Sequence, residues 1–209
     1  APPRFVLERN IEGVILAGEI PQDLMNCLEE YNLPMVFVDF YPANGKYPIV
    51  MSDNIVGGFQ ATQHLIDCGH HCIAYLYNDQ QHPSINERFQ GYKMALEKAN
   101  LVPLAVTDGS ATDRNGGYKT AQRLFAQTND ITAIFACNDA MAIGALQFLK
   151  EKGVRVPQDI SIIGFDDVEA DLSLDPPLST MRVNKEEMGI QAMRLMVEVI
   201  RNKHSRPRK

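Results

Sequence analysis

The stretch 132–167 limits what this chain can fold into more than any other. It opens with an apolar run, 132–137, that stops at Asn138-Asp139, and a helix-patterned segment, 140–152, follows and ends at Gly153. After Val156-Pro157-Gln158-Asp159 a second apolar run, 160–165, stops at Asp166-Asp167. Short apolar runs without alternation, separated by an amphipathic helix, are the pattern of parallel strands buried on both faces. Open sheets of that kind bind ligands in the crevice outside the carboxyl ends of their strands, which is where Asn138 and Asp166 fall.

The same alternation runs through the whole chain. Strand-like runs at 14–18, 35–38, 49–51, 73–77, 104–106 and 180–183 are separated by helical patterns near 21–31, 55–68, 86–99, 116–127 and 186–200. This predicts an α/β fold with right-handed crossovers. Pro21 is expected at the first position of its helix, where a missing N–H costs nothing. Neither an internal repeat nor a low-complexity segment is visible.

With 209 residues, 45% hydrophobic and 22% charged, the chain can form one large or two small globular domains. A net charge of −6 argues against broad nucleic-acid binding by this piece, because phosphate contacts need clustered Lys and Arg. The one basic cluster, 201–209, reads as a solvated helix end with cations at the favourable pole, and no aromatic residues are interleaved for stacking. Cys27, Cys68, Cys72 and Cys137 sit in apolar segments, a usage that suits a reducing cytosol. His64 and Cys68 are four apart and would share a helix face, as zinc ligands can. Against that, Cys68-Gly69-His70 reads as a helix C-terminus, and strand polarity turns His71 and Cys72 to opposite faces, so no metal site is expected. No signal peptide opens the chain, and no apolar stretch is long enough to span a bilayer.

The central motifs also carry a resemblance. Their order is strand, Asn138-Asp139, helix, Gly153, Val156-Pro157-x-Asp159, strand, Gly164-Phe165-Asp166-Asp167, then Pro176-Pro177-Leu178-Ser179-Thr180. That order resembles the effector-binding core of the lactose-repressor (LacI/GalR-type) family of bacterial transcription regulators, and weaker matches continue upstream to about Gly13. The resemblance implies two Rossmann-like subdomains with parallel sheets, similar to type I periplasmic sugar-binding proteins, joined by three crossovers with the effector between them. On it, residues 1–69 with 183–209 form a partial N-terminal-type subdomain, and residues 70–182 form the C-terminal type. The third crossover and the helix-turn-helix domain of the family are missing from this chain. The family further implies a sugar or sugar derivative as effector, operator DNA as partner of the parent protein, a homodimer, a cytoplasmic location without membrane association, and no cofactor.

Five residues are candidates for ligand contact. Asn138, at a strand-to-helix junction, fits an N-cap, but its amide also offers a donor and an acceptor to a hydroxyl, and the family places an effector contact there. Asp166 fits a turn cap, yet a carboxylate accepts two hydroxyls at once, and here too the family has a contact. Arg88 falls in the first turn if its helix starts near Asn86, the unfavourable end of the dipole. Either Glu87 compensates, or the planar fork is held there for an oxygen-rich ligand. The segment 84–92 resembles the family's effector-binding Arg segment, with Ser84 as the hydroxyl residue four before the Arg. Asp53 fits an N-cap, and in the similar purine-repressor type an acid at this place lines the pocket. Phe165, Phe89, Tyr41 and Tyr77 are stacking candidates for which core packing is the expected role.

An enzyme is the rival class, and a periplasmic sugar-binding protein a third. Gly-x-Gly-x-x-Gly, a P-loop and Gly-x-Ser-x-Gly are all lacking from the sequence. The strand-end groups form a donor and acceptor set without a nucleophile, which suits binding rather than turnover. The expected function is therefore the ligand-sensing core of a transcription regulator, without catalytic residues.

Overall fold

The computed structural model describes residues 3–8, 10–40, 42, 46–79, 81–168 and 177–204, so that Tyr41, Pro176 and the end of the basic tail lie outside the described residues. The first elements in chain order are α1 (Arg4–Leu7), β1 (Val14–Ala17), α2 (Gln22–Glu30), β2 (Met35–Val38) and β3 (Ile49–Val50). Then come α3 (Asn54–Asp67), β4 (Ile73–Leu76), α4 (Pro83–Lys98), β5 (Leu104–Val106) and α5 (Arg114–Gln127). The last are β6 (Ala133–Ala136), α6 (Asp139–Glu151), β7 (Ser161–Asp166), β8 (Ser179–Arg182) and α7 (Lys185–His204).

The chain divides into two compact units, Ala1–Ser52 with Asn184–Lys209, and Asp53–Val183. The boundary of the compact units lies between Ser52 and Asp53, whereas the family resemblance puts the first crossover near Gly69. Helix α3 falls in the second unit because it packs along α4 at backbone contact distance. The other boundary, expected near Arg182, lies at Val183 and Asn184.

In the second unit five strands form a parallel sheet in the order β5-β4-β6-β7-β8. All four residues of β4 and of β6 are buried, which explains their unbroken apolar pattern. The chain steps from β4 outward to β5 and then returns to β6 on the far side of β4, so the strand order reverses between β4 and β6. Right-handed crossovers put α4 on one face and α5 and α6 on the other. Accordingly α3 packs with α4, and α5 packs with α6. Fully buried side chains such as Phe135, Ile134 and Leu124 each contribute about 1.5–3 kcal/mol through removal from water.

Glycines set how closely the helices approach. A Cβ on Gly58 would collide with the Arg88 carbonyl, and one on Gly91 with the Ile55 carbonyl and, at 2.5 Å, with the Phe59 nitrogen. The second pair repeats the device, with Gly117 against Met141 and Gly144 against Arg114 and, at 2.7 Å, the Tyr118 nitrogen. Helices α3, α5 and α6 start on side-chain caps: Asp53 accepts from Val56 N at 2.9 Å, Asp113 from Gly116 N at 2.8 Å, and Asn138 from Met141 N at 2.8 Å. Gly69 (φ 93°) and Gly153 (φ 73°) follow α3 and α6 in the left-handed conformation that ends a helix without steric cost.

The first unit holds a three-stranded parallel sheet, β1-β2-β3. Along β2 the side chains alternate. Met35 and Phe37 join Leu16, Met25 and Leu28 of the α2 side, and Val36 joins Ala192 and Met196 of α7. Pro21 is the N-cap of α2 rather than its first residue.

Gly91→Ala should lower stability by about 1–3 kcal/mol, the usual cost of forcing atoms into a packed contact, because its neighbours are backbone. Gly189→Ala, at an exposed position of α7 with nothing within 4 Å, should raise it by about 0.5–1 kcal/mol through helix propensity. Urea unfolding of both variants checks the signs; a neutral Gly91 variant would contradict the close-contact account.

Candidate functional site

Arg88 is 3% exposed. Helix α4 begins at Pro83, one turn before the sequence suggested, because Pro83 supplies the first helical position. Arg88 therefore lies in the second turn, and the dipole argument for its oddness fails. Its peculiarity is burial. The Nε donates to Asn54 Oδ1 at 3.0 Å, and Nη1 donates to the Cys137 carbonyl at 2.7 Å. Nη2 faces Asp166 Oδ1 at 3.1 Å, and the guanidinium lies 3.8 Å over the Phe165 ring. Three of the five N–H donors of a guanidinium are thus taken by described residues.

These contacts gather α3, α4 and the carboxyl ends of β6 and β7 around one cation. Asn54, which is 1% exposed, fixes the guanidinium plane and itself donates to Glu87 Oε2 at 3.1 Å. Asp166 ends β7 at φ 111° and Asp167 follows at φ 52°, a left-handed pair costly for non-glycine residues. Asp167 is in turn bound by the Arg182 guanidinium. The Asp166 side chain retains 28% exposure, so the ion pair has a dry end and a wet one.

The other candidates are placed differently. Asn138 caps α6 through Oδ1, and its Nδ2 donates to the Thr112 carbonyl at 3.2 Å, so both ends of the amide already serve the protein. Asp53 caps α3 and is exposed. Ser84 is 1% exposed at the second position of α4, closed to solvent. Phe165 is buried beneath Arg88. Phe89 and Tyr77 stack with each other and with the core ring of Tyr75, the packing role expected of them. Two residues escaped the sequence reading, Asn54 as partner of Arg88 and Asp139 as a fully buried acid. Neither has a local signal, because both are paired across long sequence distances.

Burial pushes the Cys137 thiol up to about 12, against the opposing pull of Arg88, so it stays protonated at neutral pH. Among the described residues no group of three or more His, Cys, Asp or Glu is arranged to hold a metal. A cleft of about 240 Å³ exists near the start of β7, lined by residues that include His64, Cys68, His70 and Ser161. It includes none of the strand-end polar groups, so the convergence of those groups, not cavity size, marks the candidate site. No helix among the described residues is long and apolar enough to cross a membrane.

Comparison with known proteins gives a consistent set of relatives. Residues 62–209 match the family described as periplasmic binding protein-like domain. The chain is 36% identical over 203 residues to the HTH-type transcriptional repressor PurR of Haemophilus influenzae (strain PittEE), covering 95% of this chain and 60% of the relative. A crystal structure of a LacI family transcriptional regulator from Enterococcus faecium with bound ribose is similar at 26% identity and a TM-score of 0.83, covering 95% of this chain and 75% of that one. The complex of the transcriptional regulator CelR with cellobiose matches at 30% identity and a TM-score of 0.84, covering 97% of this chain and 63% of that one. The chain therefore spans about three fifths of the length of the curated relative.

Two measurements follow from the geometry. Arg88→Ala takes a donor from each of Asn54, the Cys137 carbonyl and Asp166 and should cost about 3–5 kcal/mol, whereas Asp53→Ala, which removes one cap, should cost about 1 kcal/mol. Equal losses in guanidinium chloride unfolding would deny Arg88 its central role. The second concerns His70, whose Nε2 lies 2.9 Å from Ser161 Oγ; burial, helped by His71, holds its pKa below 6.5. The folded chain then binds fewer protons than the unfolded one below that value, so this contribution is complete above 6.5 and is lost as pH falls. His70→Gln should flatten the drop in urea midpoint between about pH 7 and about pH 5, and an unchanged slope would assign the drop to other groups.

Proposed function

This chain belongs to the periplasmic-binding-protein-like domain family, as the effector-binding domain of a LacI-type transcriptional regulator, and from that premise we propose that Arg88 and Asp166 form the polar centre of its effector site. The observation that carries this reading is the buried ion pair at the carboxyl ends of the sheet, with one side of Asp166 open. A carboxylate beside a planar guanidinium offers acceptors and donors in the paired geometry that vicinal hydroxyls require. The effector is a small polyhydroxylated molecule, a sugar or sugar derivative. The similar regulators with bound ribose and cellobiose support that class.

Asn138 and Asp53 belong to the rim of the site, each using a cap oxygen whose second lone pair is available to a hydroxyl. Ser84 acts from beneath, since its burial keeps it from direct contact unless the segment moves. The parent protein is a cytoplasmic, homodimeric regulator of operator DNA and not an enzyme. Effector binding shifts its DNA affinity only by as much as the ligand distinguishes the two arrangements of the domain.

A thermal-shift screen of the chain against ribose, cellobiose, sugar phosphates, nucleosides and purine bases tests this. A ligand at about a hundred times its dissociation constant should add about 2.7 kcal/mol of stability. Asp166→Asn should abolish the shift, because the amide replaces one acceptor with a donor. A hit that survives Asp166→Asn and Arg88→Lys alike places the site elsewhere.

A further inference from the structure

Asp139 is fully buried, although its place at the first turn of α6 needs no burial. Its carboxylate accepts from the Thr180 hydroxyl at 2.5 Å and from the Val168 backbone N–H at 3.0 Å. Thr180, on β8, accepts in turn from the Asp167 N–H at 3.4 Å. Gly164 lets β7 approach the acid, since a Cβ there would overlap Asp139 Oδ1 and come within 3.2 Å of Leu178 Cδ2. The backbone that these bonds hold is the costly one, Asp166 at φ 111° and Asp167 at φ 52°. Such conformations persist only where their surroundings over-determine them. Here one buried acid reaches both amides after Asp166, directly at Val168 and through Thr180 at Asp167.

We infer that Asp139 is a positioning residue: its carboxylate clamps the turn after β7 so that Asp166 faces Arg88 in the effector site. The inference rests on the proposed effector reading for the meaning of the site, and on geometry alone for the clamp. The Asp139 carboxylate accepts from both partners; after Asp139→Asn one oxygen remains to accept from Val168, and the amide N–H is met only if the Thr180 hydroxyl turns to accept it. Asp139→Asn therefore removes the charge from both bonds and weakens the hold on the turn without changing side-chain volume.

The test is backbone hydrogen exchange on the 209-residue chain, read at Asp167 and Val168, together with the Nη2–H resonances of Arg88, which face Asp166. Asp139→Asn should speed exchange at Val168 by at least about tenfold, the scale of a lost hydrogen bond to a charged group, while β4 and β6 keep their protection. The Arg88 Nη2–H signals should broaden or move as Asp166 leaves its partner. Unchanged exchange at Val168, or an unmoved Arg88 signal, overturns the inference. If Asp139→Asn loses protection everywhere, Thr180→Ser and Thr180→Val decide it: the hydroxyl of Ser should preserve protection at Asp167 and Val168 and Val should not, and equal behaviour overturns the clamp. No ligand is needed for these readouts. A wild-type chain that binds neither ribose nor cellobiose would count against the effector reading, and the exchange result would still decide the role of Asp139.

Discussion

One buried guanidinium organises the second unit. Taking Arg88 out of water costs several kcal/mol, and the loss is offset only by good geometry at each donor. The chain meets that requirement with four groups from three elements: Asn54 on α3, the carbonyl after β6, and both Asp166 and the Phe165 face at the end of β7. None of these groups could move far without leaving a buried donor or acceptor unmatched. A charge in this position therefore fixes the relative placement of helices and strand ends more tightly than apolar packing does. It also leaves the one exposed oxygen-bearing side chain of the set, Asp166, polarised by a neighbour that cannot lose its proton.

Glycine contacts make the arrangement possible. Asn54 reaches Arg88 only because α3 lies against α4 at backbone distance, over Gly58 and Gly91. On the opposite face Gly117 and Gly144 let α5 and α6 close in the same way. Gly164 does the same for the acid at the start of α6. In each case the missing side chain is what lets a polar group or a helix axis come near. The recurring Gly-Gly steps in α3 and α5, which cost helix propensity, are explained by packing rather than by flexibility.

Much of the fold was legible in the sequence, for identifiable reasons. Unbroken apolar runs at 73–76 and 133–136 read as doubly covered strands, and they are buried throughout. Helix starts at Asp53 and Asn138 were legible because a cap is a local hydrogen bond. The start of α4 was missed by a turn because Pro83 outweighs the weaker cap signals after it. The dipole argument for Arg88 falls with its true position. The family pattern singles out the same residue, whose burial among partners 34 and 49 positions away is a property the sequence does not display locally. Asn54 and Asp139 had no local mark, since their partners are equally remote.

By itself, then, the sequence determined the class of fold, the strand ends at which polar groups collect, and the family, because periodicity, caps and motif spacing are short-range properties of the chain. Tertiary structure decided which of those polar groups meet. It put the boundary between the compact units at Ser52, ahead of the closely packed α3, whereas the family resemblance puts the first crossover near Gly69. It spent the Asn138 amide on a cap and on Thr112, and it buried Asp139 completely. The physical reason is the same throughout: desolvating a charge or an amide demands specific partners, and those partners are brought together only when the sheet and its helices are assembled.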